Sequence, residues 1–382
     1  MGLLSPRYAR NGEAHVKLNG LQAQMKRQID RKVEKGVYIF EAIPCPVCQS
    51  IEFDPLAEQD RYGLHFPVVI CRGCGLVQTN PRMNQTSYDE FYNAEYRRLD
   101  EGSAAPTDGS FALQYERGKQ LFHSVVRYFT RPPADYFVLE VGCGSGGVVK
   151  YFQEQGCRVK GIDLGEEYLL HGRQKHGLDL TPGTLADLAL EEAPDVIIYS
   201  HVMEHILDPT AELALVRHHL APGGLLCIEV PGVRFVQHAY DGDFLRMLQN
   251  AHTFHFTLQS LTNLLGVNGF MRLAGDELVR GIFTPAPGGK GGLGLVNEAA
   301  SIRAFLDALE SEYMLLAGLA RMREGAFPQA AMIFSQLTGI APESSYAYRC
   351  FALALRRMGR EKDAVRIEEM IDQVYAVSGR PQ

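Results

Sequence analysis

The stretch FVLEVGCGSGG (residues 137–147) contains the strongest structural signal in the sequence. Its short apolar run is typical of a buried β-strand, and it passes directly into a glycine-rich turn and an apolar helical segment. Glycine tolerates positive backbone angles and lets a ligand approach bare backbone at a helix N-terminus. The loop alone is ambiguous, because Gly142, Gly144 and Gly147 also satisfy the dinucleotide pattern GxGxxG. In either interpretation Asp163, 21 residues after Gly142, is placed to hold a ribose.

On both sides of this stretch, short β-branched runs alternate with helical segments between about residues 136 and 283. The four runs are FVLEVG (137–142), RVKGIDL (158–164), DVIIYS (195–200) and LLCIEV (225–230). This alternation predicts an α/β domain with a Rossmann-like, doubly wound, mostly parallel sheet. We expect the domain to occupy residues 111–297.

Four features around these runs follow one another in order: Glu140 before the loop, GID at 161–163, DVIIYSHVMEHILDP at 195–209 and LAPGGLLCIEVPG at 220–232. In combination they resemble class I S-adenosylmethionine-dependent methyltransferases, over roughly residues 120–275. That cofactor carries a sulfonium cation, two ribose hydroxyls and a zwitterionic methionine tail. Its pocket therefore needs close backbone, a carboxylate and apolar walls, and the glycine loop and Asp163 supply the first two.

The resemblance also implies further cofactor contacts. Leu185 and Ala186 flank the adenine, Asp187 closes their loop, and Glu140 orders the methionine end. The expected cofactor-binding residues are Glu140, Gly142, Gly144, Gly146, Asp163, Leu185, Ala186 and His201.

The stretch HVMEH (201–205) allows two further interpretations. It matches HxxEH, the inverted zinc-protease signature, but it follows a strand directly instead of lying on a helix, which disfavours a protease. Some quinone-pathway and small-RNA methyltransferases bind a divalent metal through ExxEH at the matching place, where this chain substitutes His201 for the first glutamate. Imidazole suits zinc or iron better than magnesium, so the favoured interpretation has Glu204 and His205 bonded to the backbone, with a catalytic metal as the alternative.

The stretch NAHTFHF (250–256) precedes a Ser/Thr-capped helix on the side where this fold places its substrate. A histidine with a near-neutral pKa is the natural general base for a hydroxyl or a carbon acid, although a core or capping role is the favoured interpretation for His252 and for His255. The candidate catalytic residues are His201, His205, His252 and His255. A helix leaning over the active site, or a plain core cluster, is predicted for three tyrosines at steps of four: Tyr88, Tyr92 and Tyr96.

Two CxxC pairs, Cys45 with Cys48 and Cys71 with Cys74, are separated by 22 residues. Such turns place four thiolates at the corners of a tetrahedron, which is the geometry of a structural zinc site. Four sulfur ligands leave no position for water, so we expect a zinc ribbon over residues 40–99 without catalysis. A redox dithiol would need a neighbouring thioredoxin-like strand and helix, which the sequence lacks. The single cysteines are interpreted as small core residues: Cys143, Cys157, Cys227 and Cys350.

The segment 298–382 is helical and repeats with an offset of 34 residues, so that Gly325 matches Gly359 and Arg323 matches Arg357. This period is typical of tetratricopeptide repeats. Two such units cannot bury a core alone, so they are expected to pack against the sheet domain or to dock a protein partner.

The segments that flank these regions are read from composition and periodicity. Residues 1–39 are expected to contain a basic amphipathic helix, over 17–35. The polar run 100–110 predicts a linker, and TPAPGGKGGLGLV (284–296) predicts a glycine-rich hairpin or linker.

The charge balance, 38 basic against 45 acidic residues, gives a net charge of −7 and no field that would attract nucleic acid or an anionic membrane. No stretch approaches the roughly 18 apolar residues of a membrane span, and the first residues lack the apolar core of a signal peptide. A cytoplasmic location is therefore expected, and a nucleic-acid partner is disfavoured.

A zinc ribbon ahead of a methyltransferase domain resembles nucleotide-sugar C-methyltransferases and methyltransferases of surface-polysaccharide synthesis. The former carry a further α/β domain, whereas this chain continues into helical repeats, which puts the deoxysugar assignment in doubt. The expected function is methyl transfer to a sugar or glycan intermediate. The alternatives are methylation of a protein or other macromolecule docked by the repeats, and a non-catalytic assembly module.

Overall fold

The computed structural model describes residues 2–103, 106–289 and 294–378. Parts of two predicted linkers, residues 104–105 of the 100–110 run and residues 290–293 of the 284–296 run, lie outside the described residues, as do 379–382.

The helices are α1 (Gly20–Glu34), α2 (Gln85–Phe91), α3 (Arg97–Asp100), α4 (Asp108–Val125), α5 (Gly147–Glu154), α6 (Glu166–His176), α7 (Pro209–His219), α8 (Val236–Ala239), α9 (Phe244–Met247), α10 (Leu258–Val267), α11 (Ala299–Arg323), α12 (Phe327–Ile340), α13 (Ser345–Arg357) and α14 (Glu361–Ser378). A π-helical segment, Tyr92–Tyr96, connects α2 to α3. The strands are β1 (Phe40–Glu41), β2 (Phe53–Gln59), β3 (His65–Cys71), β4 (Val77–Thr79), β5 (Arg82–Met83), β6 (Phe137–Val141), β7 (Arg158–Asp163), β8 (Leu180–Pro182), β9 (Val196–Ser200), β10 (Leu225–Glu229), β11 (Phe254–His255), β12 (Phe270–Gly275) and β13 (Arg280–Pro285).

A seven-stranded sheet in the order β12-β13-β10-β9-β6-β7-β8 forms the centre of the fold among the described residues. The five strands β6 to β10 are parallel, and β13 and β12 add antiparallel pairs at one edge. All four predicted runs are strands of this sheet, so the mostly parallel α/β architecture is confirmed. Because β6, β7 and β9 run in the same direction, the loops after them meet at one sheet edge.

The cysteine-containing region folds onto this domain through a second sheet, in the order β11-β4-β3-β2. Its edge strand β11 comes from a distant part of the chain, and Phe254 pairs with Gln78. The buried cysteines Cys45 and Cys71 share one apolar core with Leu139 of the central sheet. The predicted zinc-ribbon region and the sheet domain are therefore packed as neighbours that share strands and core.

The N-terminal segment is fixed to α11 through a buried carboxylate. Glu310, 1% exposed, accepts hydrogen bonds from Ser5 (2.6 Å), Tyr8 (3.1 Å) and Arg7 (2.6 Å). Arg7 also pairs with the buried Asp243 at 2.8 Å. Helix α11 therefore packs against both the N-terminal segment and the second sheet.

Replacing Arg7 with alanine is expected to lower the free energy of unfolding by about 3 kcal/mol, because it leaves two buried carboxylates without their shared cation. The midpoint of urea unfolding measures this loss. The control is Arg356→Ala, whose pair with Glu368 is exposed and should contribute less than about 1 kcal/mol. Equal, small losses in both variants would contradict the role assigned to Arg7.

The C-terminal helices α11 to α14 pack consecutively around a separate apolar cluster. The 34-residue offset relates the starts of α12 and α14, and Gly325 and Gly359 both adopt positive φ angles, +75° and +73°, just before them. Gly318 permits close helix packing, since a Cβ there would lie 2.4 Å from the Phe334 ring. The tetratricopeptide-like character of these helices stays a prediction.

Within the described ranges, none of the helices has the length and apolar character needed to cross a bilayer.

Candidate cofactor and active site

The glycine loop lies between β6 and α5 and takes the conformation that its sequence requires. Gly142, Gly144 and Gly146 have φ angles of +71°, +53° and +82°. At Gly142 a Cβ would also lie 2.4 Å from the Val202 side chain. Both the positive φ angle and this close contact therefore favour glycine at position 142. The amides of Gly142 and Cys143 both donate to the Ile162 carbonyl, which ties the loop to β7.

Asp163 ends β7 and is 6% exposed. Its Oδ2 accepts from the Gly144 amide at 2.9 Å, and its Oδ1 accepts from the Gly165 amide at 2.6 Å and from Arg97 at 2.7 Å. The Arg97 guanidinium also lies 4.0 Å from the Tyr168 ring centroid. The carboxylate is thus oriented beside the glycine loop, and Arg97 is a partner that the sequence reasoning missed.

A cavity of about 690 Å³ opens along this edge of the sheet. The predicted cofactor residues that line it are Glu140, Gly142, Gly144, Asp163, Leu185 and His201. Gly146, at the start of α5, and Ala186, in the 3-10 turn Leu185–Asp187, are not among its lining residues. The Glu140 carboxyl is buried with no hydrogen bond to its Oε2, and burial raises its pKa well above the usual range.

The three predicted tyrosines form one wall of this cavity. Tyr88 lies on α2, and Tyr92 and Tyr96 lie on the π-helical segment with ring centroids 4.8 Å apart. Burial raises the pKa of all three hydroxyls, so they are neutral. This wall can shield a reacting group from water while it presents aromatic faces to a ligand.

His201 follows β9 in a left-handed backbone conformation, with φ +58°. Its Nδ1 lies 3.6 Å from Glu204 and its Nε2 lies 3.5 Å from Glu229. Burial opposes the charged form, but these two carboxylates outweigh burial and raise the His201 pKa. His201 therefore lies at the cavity edge as a group held between two acids.

The structure separates the remaining candidate histidines. His205 and His252 line the cavity, with ring centroids 4.8 Å apart. His255 instead lies in β11, 1% exposed, against the Phe66 and Phe244 rings, and it is not among the lining residues. Burial lowers the pKa of all three, that of His255 to about 3, so they are neutral at pH 7.

The four paired cysteines converge as their spacing predicts. The sulfurs of Cys45 and Cys74 are 3.5 Å apart, those of Cys48 and Cys71 are 3.4 Å apart, and all four lie within 4.8 Å of one another. Sulfurs around a zinc ion with bonds of about 2.3 Å lie about 3.8 Å apart, so the donor set fits zinc.

The backbone of the two CxxC turns also fits a metal. The residue after each pair, Gln49 or Gly75, has a positive φ angle (+60° and +85°) and donates its amide to the carbonyl of the first cysteine. Glycine at position 75 is the residue type that such a turn favours, whereas nothing in the sequence indicates a positive φ angle at Gln49. Gly73 is also required, since a Cβ there would lie 2.9 Å from the Cys48 sulfur.

Known methyltransferases are similar to the part of the chain that contains the glycine loop and Asp163. Residues 113–273 match the family described as a methyltransferase domain. A protein of Mycolicibacterium smegmatis, described as a "probable S-adenosylmethionine-dependent methyltransferase", is 31% identical over 135 residues, 35% of this chain and 51% of its own. The ubiquinone biosynthesis O-methyltransferase of Xylella fastidiosa is 37% identical over 99 residues, 24% of this chain and 40% of its own.

The malonyl-[acyl-carrier protein] O-methyltransferase of Enterobacter lignolyticus is 28% identical over 136 residues, 34% of this chain and 53% of its own. This chain thus spans about half the length of these relatives. A solved structure, magnesium protoporphyrin IX methyltransferase from Synechocystis, aligns over 53% of this chain and 99% of its own at 16% identity and a TM-score of 0.38.

The five parallel strands and the glycine loop lie within residues 113–273, the part of the chain that matches a methyltransferase domain. The family match over residues 113–273 supports S-adenosylmethionine as the cofactor of this domain. It includes the loop, Asp163 and the His201–His205 segment, and it ends before the C-terminal helices.

Proposed function

We propose that this chain transfers a methyl group from S-adenosylmethionine to a small acceptor bound in the same cavity. The observation that carries the proposal is that the left-handed glycine loop, Asp163 and three histidines line one cavity. The histidines are His201, His205 and His252. Dinucleotide binding, the rival interpretation of the loop, is disfavoured by the family match over this region.

The cofactor supplies an electrophilic methyl group on a sulfonium sulfur. Asp163 would accept hydrogen bonds from the ribose hydroxyls, and Gly144 leaves bare backbone beside it. Leu185 would pack on the adenine, and Glu140 would face the methionine end. The protein's further contribution is to align the acceptor with the methyl group and to exclude water, which suits the tyrosine wall.

For the acceptor we propose a sugar or glycan intermediate. A sugar presents several hydroxyls and an apolar face, and the cavity is lined both by polar groups such as Arg61, Asp100 and Gln249 and by aromatic rings. The arrangement of a cysteine region ahead of the domain supports the same class. The relatives have other names: one is named for ubiquinone biosynthesis and one for malonyl-[acyl-carrier protein].

The remaining expectations are also proposals. We propose that Cys45, Cys48, Cys71 and Cys74 hold one structural zinc ion. A protein partner for the C-terminal helices is supported by apolar side chains that these helices expose, among them Leu316, Met332 and Leu353.

Incubation of the purified chain with methyl-labelled S-adenosylmethionine and a fractionated cell extract tests the proposed activity. We expect label in the sugar and glycan fraction, and none when Gly142→Val, which removes the loop's left-handed turn, replaces the wild-type chain. Label in protein would favour the macromolecular alternative. Absence of label in every fraction, with the cofactor unbound, would favour a non-catalytic module.

A further inference from the structure

A buried carboxylate with no hydrogen bond lies against the cavity. Glu204 is 1% exposed, and neither of its carboxylate oxygens has a hydrogen-bond partner among the described residues. Desolvating an acidic group without a partner is costly, so such a group indicates a missing ligand. Three histidine nitrogens surround its Oε1 beyond hydrogen-bonding distance: Nδ1 of His201 at 3.6 Å, Nε2 of His252 at 3.9 Å and Nε2 of His205 at 4.0 Å.

The ring of His205 is held in the orientation and tautomer that metal binding requires. Its Nδ1 donates to the carbonyl of Ala251 at 3.1 Å, which leaves the lone pair of Nε2 facing Glu204. Histidine ligands of metals are typically oriented by such a bond from the second ring nitrogen. The same carbonyl accepts from the Tyr88 hydroxyl at 2.6 Å, and the Thr253 amide donates to the Glu204 carbonyl at 2.7 Å. The supporting layer is therefore rigid.

His252 also presents Nε2 to Glu204, and this nitrogen contacts the side-chain amide of Gln249. The Gln249 oxygen accepts from Arg61 at 2.6 Å, so the amide nitrogen is the group that faces the ring. An amide donor at Nε2 requires a lone pair there. The same lone pair is available to an ion once Gln249 turns aside.

We propose that Glu204, His205 and His252 form a binding site for one divalent transition-metal ion, separate from the four cysteines. Their ligand atoms lie within 4.8 Å of one another. Ligands about 2.1 Å from a tetrahedral ion lie about 3.4 Å apart, so the distances from Glu204 to the two histidine nitrogens, 3.9 and 4.0 Å, would shorten by about half an ångström on binding. Two imidazoles and one carboxylate favour zinc, ferrous iron or manganese over magnesium, which prefers oxygen ligands and water.

Three protein ligands leave at least one position open, which is the pattern of catalytic metal sites. All three residues line the cavity, so the open position faces the space proposed for the acceptor. The site therefore selects an acceptor that offers an oxygen, a step that rests on the proposed methyl transfer. Bound there, a hydroxyl would lose its proton to water, its oxygen would bond to the methyl carbon, and the sulfur would keep the electron pair of the broken bond.

Cobalt titration of the metal-depleted full-length chain, followed by absorption, tests the site without an activity assay. We expect two ions per chain. One produces the intense charge-transfer bands of thiolate ligation, and the second produces only the weaker visible bands of nitrogen and oxygen ligands.

Glu204→Gln and His252→Gln should each weaken the second ion at least tenfold and leave the thiolate bands unchanged. His255→Gln is the matched control, because His255 is equally buried and its ring lies 5.9 Å from that of His252. Thermal unfolding of each metal-free variant checks that it folds. A wild-type chain with one ion, or a second ion bound equally tightly by both variants, overturns the proposal.

Calorimetry with S-adenosylhomocysteine on the same samples separates the two proposals. Loss of the second ion with intact cofactor binding leaves methyl transfer standing. Metal binding without any cofactor binding removes the methyl-transfer proposal and leaves the metal site.

Discussion

Replacement of Asp163 by alanine is expected to weaken binding of S-adenosylhomocysteine about thirtyfold or more, as measured by calorimetry. A hydrogen bond to a charged group contributes about 1.5–3 kcal/mol, and 2 kcal/mol corresponds to roughly thirtyfold in affinity. The carboxylate also accepts hydrogen bonds from the amides of Gly144 and Gly165, so its removal should weaken the packing of the glycine loop as well.

The isosteric variant Asp163→Asn separates these effects, because it keeps the shape but can no longer accept through both oxygens. Asp179→Asn serves as the control, since Asp179 is an exposed carboxylate that pairs with Lys160 in the same domain. Affinity that is unchanged in Asp163→Ala would remove this residue from the cofactor site.

The second large effect is expected at the cysteines. A chain with Cys45→Ser and Cys71→Ser should lose its zinc and fail to reach the native fold at 37 °C. Structural zinc contributes an apparent 10–16 kcal/mol or so in zinc-finger peptides, which is as large as the roughly 5–15 kcal/mol stability of a whole domain. Because the cysteines lie in the same core as Leu139, the loss extends to the central sheet.

Zinc content by elemental analysis and thermal unfolding by circular dichroism measure this outcome together. Cys350→Ser is the control, because Cys350 is buried among the C-terminal helices and lies far from the paired cysteines in sequence. This substitution should lower the free energy of unfolding by about 1–2 kcal/mol. If the doubly substituted chain melts like wild type, the four-cysteine cluster has no structural metal.

Local sequence patterns predicted the parts of this molecule that depend on local geometry. The four strand runs, the glycine loop and the CxxC turns each place their residues through neighbours in the chain, so period and spacing sufficed. Cysteine convergence also followed, because tetrahedral ligation imposes it on any pair of such turns.

Long-range pairings were beyond the same reasoning. Nothing local indicates that β11 joins β4, about 175 residues earlier, or that Arg97 meets Asp163. Those contacts depend on how distant elements pack in three dimensions, which local sequence patterns do not indicate. For the same reason the sequence did not predict that Glu204, His205 and His252 lie together. His205 belongs to the same motif as Glu204, whereas His252 is brought there by the pairing of β11 with β4. His255, three residues after His252, is buried away from the cavity.

The short strand β11 has a consequence for how firmly the histidine loop is held. The Thr79 amide and hydroxyl donate to the carbonyls of Thr253 and His252, at 2.9 and 3.0 Å, while the Thr253 amide donates to Glu204. The loop is thereby held both to β4 and to the 3-10 turn Met203–His205 that follows β9. Its amide protons should exchange with solvent only in the global opening of the molecule, as those of inner strands do, so that this wall of the cavity is a rigid support for bound ligands.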